Sequence, residues 1–262
     1  HFGFVEFLNY YSLNWSAAYN PWTVNNRRTR GGPLSLNPPG YQLDLSMRSD
    51  SRKPVTFGVF TGTYFRSARD ESWYLGADLQ YRPAPNVSLS VGPTLNWTAD
   101  PTQYVETFDD PTAVGTYGRR YVFASLDLTE LSAGIRINWT FTPALSLQFF
   151  AQPLISAGEY GTFRALARPR TYEFDEWNDG TSTFDSTTYT PPSPDFNFKS
   201  LRGNAVLRWE YLPGSTLYLV WTQTREDIES IGAFNFGGSM RRLGRAKPSN
   251  ILMLKFTYWW NP

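Results

Sequence analysis

A strict two-residue alternation of apolar and polar side chains constrains this chain more than any other feature. Along residues 73–82 one face takes Trp73, Leu75, Ala77, Leu79 and Tyr81, and the other Tyr74, Gly76, Asp78, Gln80 and Arg82. Residues 87–97 repeat the pattern, with Leu89, Val91 and Leu95 opposing Ser90, Gly92 and Asn96, and so do residues 131–141. A period of two sends successive side chains to opposite sides of a pleated sheet, whereas the 3.6-residue period of a helix is almost missing. Segments 41–48, 54–66, 145–157, 201–211, 215–224 and 250–260 behave alike, and 5–18, 102–110 and 117–128 are less regular. The chain is therefore expected to be all-β, with about twelve antiparallel strands of roughly 8–14 residues in a single domain over residues 1–262.

The connections sort by length. Ser49–Pro54, Arg82-Pro83-Ala84-Pro85-Asn86, Phe141-Thr142-Pro143-Ala144 and Leu212-Pro213-Gly214-Ser215 are short and turn-rich, whereas 19–40, 158–197 and 227–247 are long. If strands run up and down, the short turns share one side and the long loops the other, as in outer-membrane barrels. This parity requires 102–110 and 117–128 to be two separate strands. A soluble β-sandwich gives the same alternation with its polar face in water. Lipid is favoured by aromatic rings at the ends of the apolar face: Tyr81, Phe141, Tyr211 and Trp260 beside the short turns, and Trp73, Trp97 and Trp221 towards the long loops. Between them lie Leu, Val, Ile and Ala. The last strand aligns Leu252, Leu254, Phe256, Tyr258 and Trp260, a pattern similar to the terminal strand by which the barrel-assembly machinery recognises its clients. The expected fold is an antiparallel up-and-down transmembrane β-barrel, complete here or part of a larger one.

Composition removes other classes. With 24 Lys+Arg against 23 Asp+Glu there is no basic excess for nucleic acid. The chain has no cysteine, hence no disulfide scaffold or thiolate metal site, and its one histidine, His1, leaves no Ser-His-Asp triad. No apolar run reaches the length of a spanning helix, and the first residues lack the basic region of a signal peptide. No cofactor or metal is expected.

Several segments carry a resemblance. They are Arg27-Arg28-Thr29-Arg30-Gly31-Gly32-Pro33, Arg119-Arg120-Tyr121-Val122-Phe123-Ala124, residues 141–148, and above all the stretch from Ser200-Leu201-Arg202-Gly203-Asn204 through Glu210-Tyr211-Leu212-Pro213-Gly214-Ser215-Thr216-Leu217. In that order they resemble the C-terminal β-barrel region of the DUF5916 family. The resemblance implies an outer-membrane protein of a Gram-negative bacterium, longer than this chain and carrying an N-terminal carbohydrate-binding family-9-like domain. It implies an architecture rather than an activity.

The face opposite the aromatics carries Asp44, Arg48, Asp78, Arg82, Arg136, Arg202, Arg208, Glu210 and Lys255. Two readings stand: a charged channel lining that selects solutes, or a network that fills and stiffens a closed barrel. The acidic, aromatic loop 173–180 with Asp185 offers oxygens for Ca²⁺, but its spacing does not match an EF-hand, and a solvated loop explains it. Arg27, Arg28 and Arg30 fit either contact with lipopolysaccharide or a tight turn through Gly31-Gly32-Pro33. The leading expectation is a non-enzymatic outer-membrane barrel for solute or glycan binding, uptake or surface assembly, with lipid and lipopolysaccharide as its surroundings. The alternatives are a plugged anchoring barrel whose long loops bind proteins, and an outer-membrane hydrolase.

Overall fold

The computed structural model describes residues 1–260. Its strands are β1 (Phe2–Glu6), β2 (Ser12–Asn20), β3 (Thr23–Asn25), β4 (Ser35–Asn37), β5 (Gly40–Arg48), β6 (Val55–Arg66) and β7 (Glu71–Ala84). They continue with β8 (Val87–Asp109), β9 (Arg119–Thr142), β10 (Leu145–Leu166), β11 (Phe174–Glu176), β12 (Phe196–Leu212), β13 (Ser215–Glu229) and β14 (Ser249–Thr257). One α-helix, α1 (Phe236–Arg245), precedes β14. A 12-stranded antiparallel sheet runs β1-β2-β5-β6-β7-β8-β9-β10-β12-β13-β14, with β11 on β10; β3 and β4 form a separate hairpin. Apart from β3 and β4, which leave the sheet between β2 and β5, and β11, which flanks β10 alone, the strands pair in chain order, so the meander expected from the alternation is present.

The sheet is not closed into a barrel. Among the described residues β1 pairs only with β2 and β14 only with β13, which leaves one edge of each without a partner. Closure is a property of the whole set of registers, and alternation within each strand does not encode it.

Two segments differ from the sequence reading. Residues 102–110 and 117–128 are continuations of β8 and β9 rather than strands of their own. The apparent break at Asp100-Pro101-Thr102 is a shift of register, where β8 slips against β9 between Asp100 and Gln103. A proline lacks the N–H a ladder needs and is accommodated at such a bulge. Segment 5–18 is instead a hairpin of β1 and β2. The merged pairs and the added hairpin leave the parity intact: the β5–β6, β7–β8, β9–β10 and β12–β13 turns share one end, called here the turn end. The opposite, loop end holds the long connections and one short one between β6 and β7.

The packed core lies at the loop end, where β8, β9 and β10 extend beyond their neighbours. Val122, Phe123, Ala165 and Phe184 are fully buried there. Loop residues Phe184 and Tyr189 pack on Val122 and Ala165, and Phe174 of β11 packs edge-on against Phe123. Beneath this core the apolar face is buried at Ile155, Ala157 and Lys199 and open over most of its remaining extent: Leu75 is 48% exposed, Leu219 39% and Leu254 69%.

Candidate functional site

The registers settle where the sequence-derived residues fall. On the polar face, Gly58 pairs with Asp78, Gly92 with Gly134, and Ser90 with Arg136. Three glycines thus sit where side chains would fill the face. A Cβ on Gly92 would lie 2.9 Å from Asp78 Oδ1 and one on Gly58 3.4 Å from Arg48 Cγ, while one on Gly134 would meet nothing. The result is a cavity of about 440 Å³ lined by Arg48, Asp78, Arg136, Gln80 and Ser90. Two guanidinium groups and one carboxylate around hydroxyl and amide groups suit a hydroxyl-rich or anionic solute, because a guanidinium donates in a fixed fork.

The remaining polar-face charges are committed within the sheet. Asp44 accepts from Ser16 Oγ (2.8 Å), Tyr74 Oη (2.9 Å) and Gln42 Nε2 (3.1 Å). Arg82 donates to the Ser51 carbonyl (2.6 Å) and so closes the β5–β6 turn. Arg208 pairs with Glu210 (2.7 Å), which also accepts from the Gly214 amide, and Arg202 lies 3.6 Å from Glu226. Lys255 sits 5.9 Å from the Tyr218 ring centroid. The structure therefore gathers Arg48, Asp78 and Arg136 and disperses the others.

On the apolar face the aromatics form two bands. Rows of paired residues run Tyr81–Leu89–Ile137–Phe149–Ala205–Trp221, so Trp221 shares a row with Tyr81 rather than with Trp73. From Trp73 to Tyr81 is about 27 Å along β7, and from β7 to β13 is five strand spacings, about 24 Å. Trp73 and Trp221 thus share a level if the strands incline by about 48°. At the turn end, Trp209 and Tyr211 lie four and six residues beyond Ala205, which is four spacings from β7, and this requires about 35–47°. Levelling each band separately calls for similar inclinations. It also places Tyr19, Tyr41 and Phe65, paired across β2, β5 and β6 with ring centroids 5.2 and 5.5 Å apart, at the level of Trp73 and Trp97. The sequence reading missed these three, and Trp139 and Trp209 at the turn end, because levels depend on register. Phe141 stacks at 4.5 Å from Trp139. β14 ends at Thr257, so Leu252, Leu254 and Phe256 share its outer face, while Tyr258 and Trp260 lie beyond the strand and are exposed.

Loops tie together over the loop end of the polar face. The Leu36 amide donates to the Thr171 carbonyl (3.0 Å) and the Arg170 amide to Leu34 (2.7 Å), which joins the β2–β5 and β10–β12 connections. Arg28 is the pin: it donates to Asn37 Oδ1 (2.8 Å), Ser35 Oγ (3.2 Å) and Thr102 Oγ1 and lies over the Tyr172 ring. Burial lowers the Arg28 pKa and raises that of Asp100 beside it. Arg30 adopts φ +51° and covers the Tyr104 ring at 4.4 Å, and Gly31 at φ +103° completes the tight turn. Arg120 and Asp110, both buried, pair at 2.6 Å, and Arg120 also donates to Thr183 Oγ1 (3.2 Å). Burial pushes Asp110 upward, but hydrogen bonds from Thr112 and Arg120 outweigh it and hold the carboxyl below its usual range. In the acidic loop, Asp179 caps the Thr181 and Ser182 amides and Asp185 the Thr187 amide. These carboxylates close turns, and no cluster of three metal-ligating side chains occurs among the described residues.

A group that sequence reasoning did not single out lies on the apolar face beyond Trp221. Fully buried Lys199 pairs with Asp227 (3.2 Å) and with Glu229, and Arg242 of α1 pairs with both carboxylates at 2.9 and 3.0 Å. The signal was present: these charges occupy the odd positions that carry Leu219 and Trp221 lower down.

Fold and site together define an all-β antiparallel meander with one uncovered apolar, aromatic-banded face and one clefted polar face. The chain belongs to the DUF5916 family, a domain of unknown function whose match spans residues 4–261. No curated protein and no solved structure matches the chain.

Proposed function

We propose that this chain forms the wall of an outer-membrane β-barrel in a Gram-negative bacterium, with lipid against the apolar face and a solute path along the polar face. The observation that carries this reading is the pair of aromatic bands. They follow one strand inclination of about 35–48°, close to the 35–45° of transmembrane barrels, and flank an uncharged stretch of Leu, Val, Ile and Ala. An exposed apolar face of this extent marks a surface made to meet lipid or another protein. A bilayer also leaves no water for backbone groups, so the free edges of β1 and β14 must be paired in place. Strands outside residues 1–260, or a second copy, supply those partners.

The role within that reading is non-enzymatic solute or glycan binding and uptake, centred on the cleft of Arg48, Asp78 and Arg136. The family's carbohydrate-binding context makes a glycan the first ligand to test, by analogy. One observation favours the second reading, a plugged anchor with partner proteins on its loops: the Arg28-pinned cap joins two long loops over the polar face. Fractionation, followed by gel mobility before and after boiling, tests membrane residence. Extraction without detergent and without a mobility shift would overturn it. Planar-bilayer conductance then separates an open path from a plug.

A further inference from the structure

The helix α1 lies between β13 and β14 in the chain. Asn235 caps its first turn by accepting from the Gly238 amide (2.9 Å), and Arg242 and Arg245 occupy the last turn, where the helix dipole favours cations. Ser239 and Leu243 bury against the sheet. Its anchors lie on the apolar side of β12 and β13: Asn197 donates to the Ala233 carbonyl (3.0 Å), Arg225 to the Gly244 carbonyl (2.7 Å), and Arg242 to Asp227. The helix is therefore outside the sheet, on the face that carries Leu219 and Trp221. It passes from the Asn197–Glu229 row to the Arg225 level as it crosses, in the sense in which the aromatic bands step. It lies along the bands and not across them.

Its height follows from β13. Arg225 is about 14 Å along the strand beyond Trp221, or about 10 Å above it at an inclination near 45°. A helix about 5 Å in radius then has its lower flank about 5 Å above the ring, within the roughly 5–8 Å of headgroups on each side of a bilayer. The flanks are ordered accordingly. Phe236, Met240 and Gly244 recur at i, i+4 and i+8, and the Gly244 carbonyl meets Arg225, the anchor nearest Trp221. Phe236 (54% exposed) and Met240 (38%) thus point towards the apolar band. Arg242, nearly opposite Gly244, reaches the more distant Asp227 and Glu229. Arg241 and Arg245 project away from the sheet, joined by Lys247, and none of the three pairs with a carboxylate among the described residues.

We propose that α1 is an interfacial helix that binds the phosphate groups of outer-leaflet lipopolysaccharide through Arg241, Arg245 and Lys247, with Phe236 and Met240 set into the acyl boundary. The proposal rests on the membrane reading above. Basic and apolar flanks of this kind suit the plane of an anionic interface, and each cation near such a surface contributes about a fivefold gain in binding.

The test uses the protein extracted from outer membranes into zwitterionic detergent, after heat-dependent gel mobility has been recorded on the same sample. Native mass spectrometry then follows binding of bis-phosphorylated lipid A and of its dephosphorylated form. The expected result is retention of the phosphorylated lipid, and loss on the order of a hundredfold in R241Q/R245Q/K247Q with its heat-dependent mobility unchanged. Equal binding of both lipids, or undiminished binding by the triple variant, overturns the assignment while leaving the membrane reading intact. Absence of the mobility shift defeats both together. The variant F236S/M240S should weaken lipid binding without changing the preference for phosphate; an unchanged affinity refutes the set of the apolar flank.

Discussion

Ala77 lies midway between Trp73 and Tyr81 on the outer face of β7, so it is the deepest position of the apolar band on that strand. In the membrane reading, Ala77→Arg puts a guanidinium about 10 Å from either aromatic level when height is measured at 45°. Lipid-facing arginine costs about 2–4 kcal/mol at the midplane and about 0–1 near the interfaces. The long side chain reaches part of the way to the headgroups, which places the expected cost at about 2–3 kcal/mol. Two controls share the sheet. Thr94→Arg enters the polar face, where Thr94 pairs with Gly76 and Ser132, and should cost under about 1 kcal/mol. Glu71→Arg sits on the same face and strand as Ala77 but beyond the Trp73 level, and should also stay under about 1 kcal/mol. Denaturant unfolding of the protein in lipid vesicles, read by tryptophan fluorescence, measures all three. A cost for Ala77→Arg no greater than that for Thr94→Arg would refute the assignment of lipid to this face. A cost that does not decline from Ala77 to Glu71 would refute the placement of the upper band.

Other perturbations address the cap, the helix anchor and the turns. Arg28→Ala removes the donor shared by Ser35, Asn37 and Thr102, so the joined loops should become cleavable by added protease in intact cells, and any blocked conductance should rise. Unchanged protection would mean that the backbone bonds at Leu34 and Leu36 hold the cap alone. Lys199→Ala leaves Asp227 and Glu229 to share Arg242, at a cost of about 2–3 kcal/mol; this is less than the 3–5 of a fully buried pair because both carboxylates keep some solvent and that guanidinium. Hydrogen exchange at α1 should rise in that variant. The Arg52 hydrogen bond, foremost, lowers the Asp50 carboxyl to about 2, so its contribution is present above the unfolded value near 3.9 and is lost as pH falls towards 2. Asp110 titrates in the same direction, and Asp100 in the opposite one: with its pKa raised by burial, it disfavours the cap as pH rises above the unfolded value. Acid titration of Asp50→Asn against the parent chain, followed by exchange at the β5–β6 turn, checks the first of these.

The alternation in this sequence determined the strand class and which residues fall on the apolar and on the polar face, because a period of two is a local property of extended backbone. It also located the turn end, since proline and glycine mark tight turns wherever they fall. The breaks were less legible. Pro101 reads as a turn in one dimension, yet the partner strand β9 carries the ladder past it as a bulge, and only pairing energy from a neighbour decides between the two. Levels were not legible at all. In the membrane reading, Trp221 and Trp73 are related only through five successive registers, and Tyr19, Tyr41 and Phe65 through three more. The cleft of Arg48, Asp78 and Arg136 depends equally on glycines of β6, β8 and β9 falling around Asp78 of β7. Lys199, Asp227, Glu229 and Arg242 come from β12, β13 and α1, and their attraction matters only once burial has brought them together in a low-dielectric site. Tertiary structure also left the sheet open at β1 and β14, since closure depends on the sum of all staggers and on which strands stand at the edges.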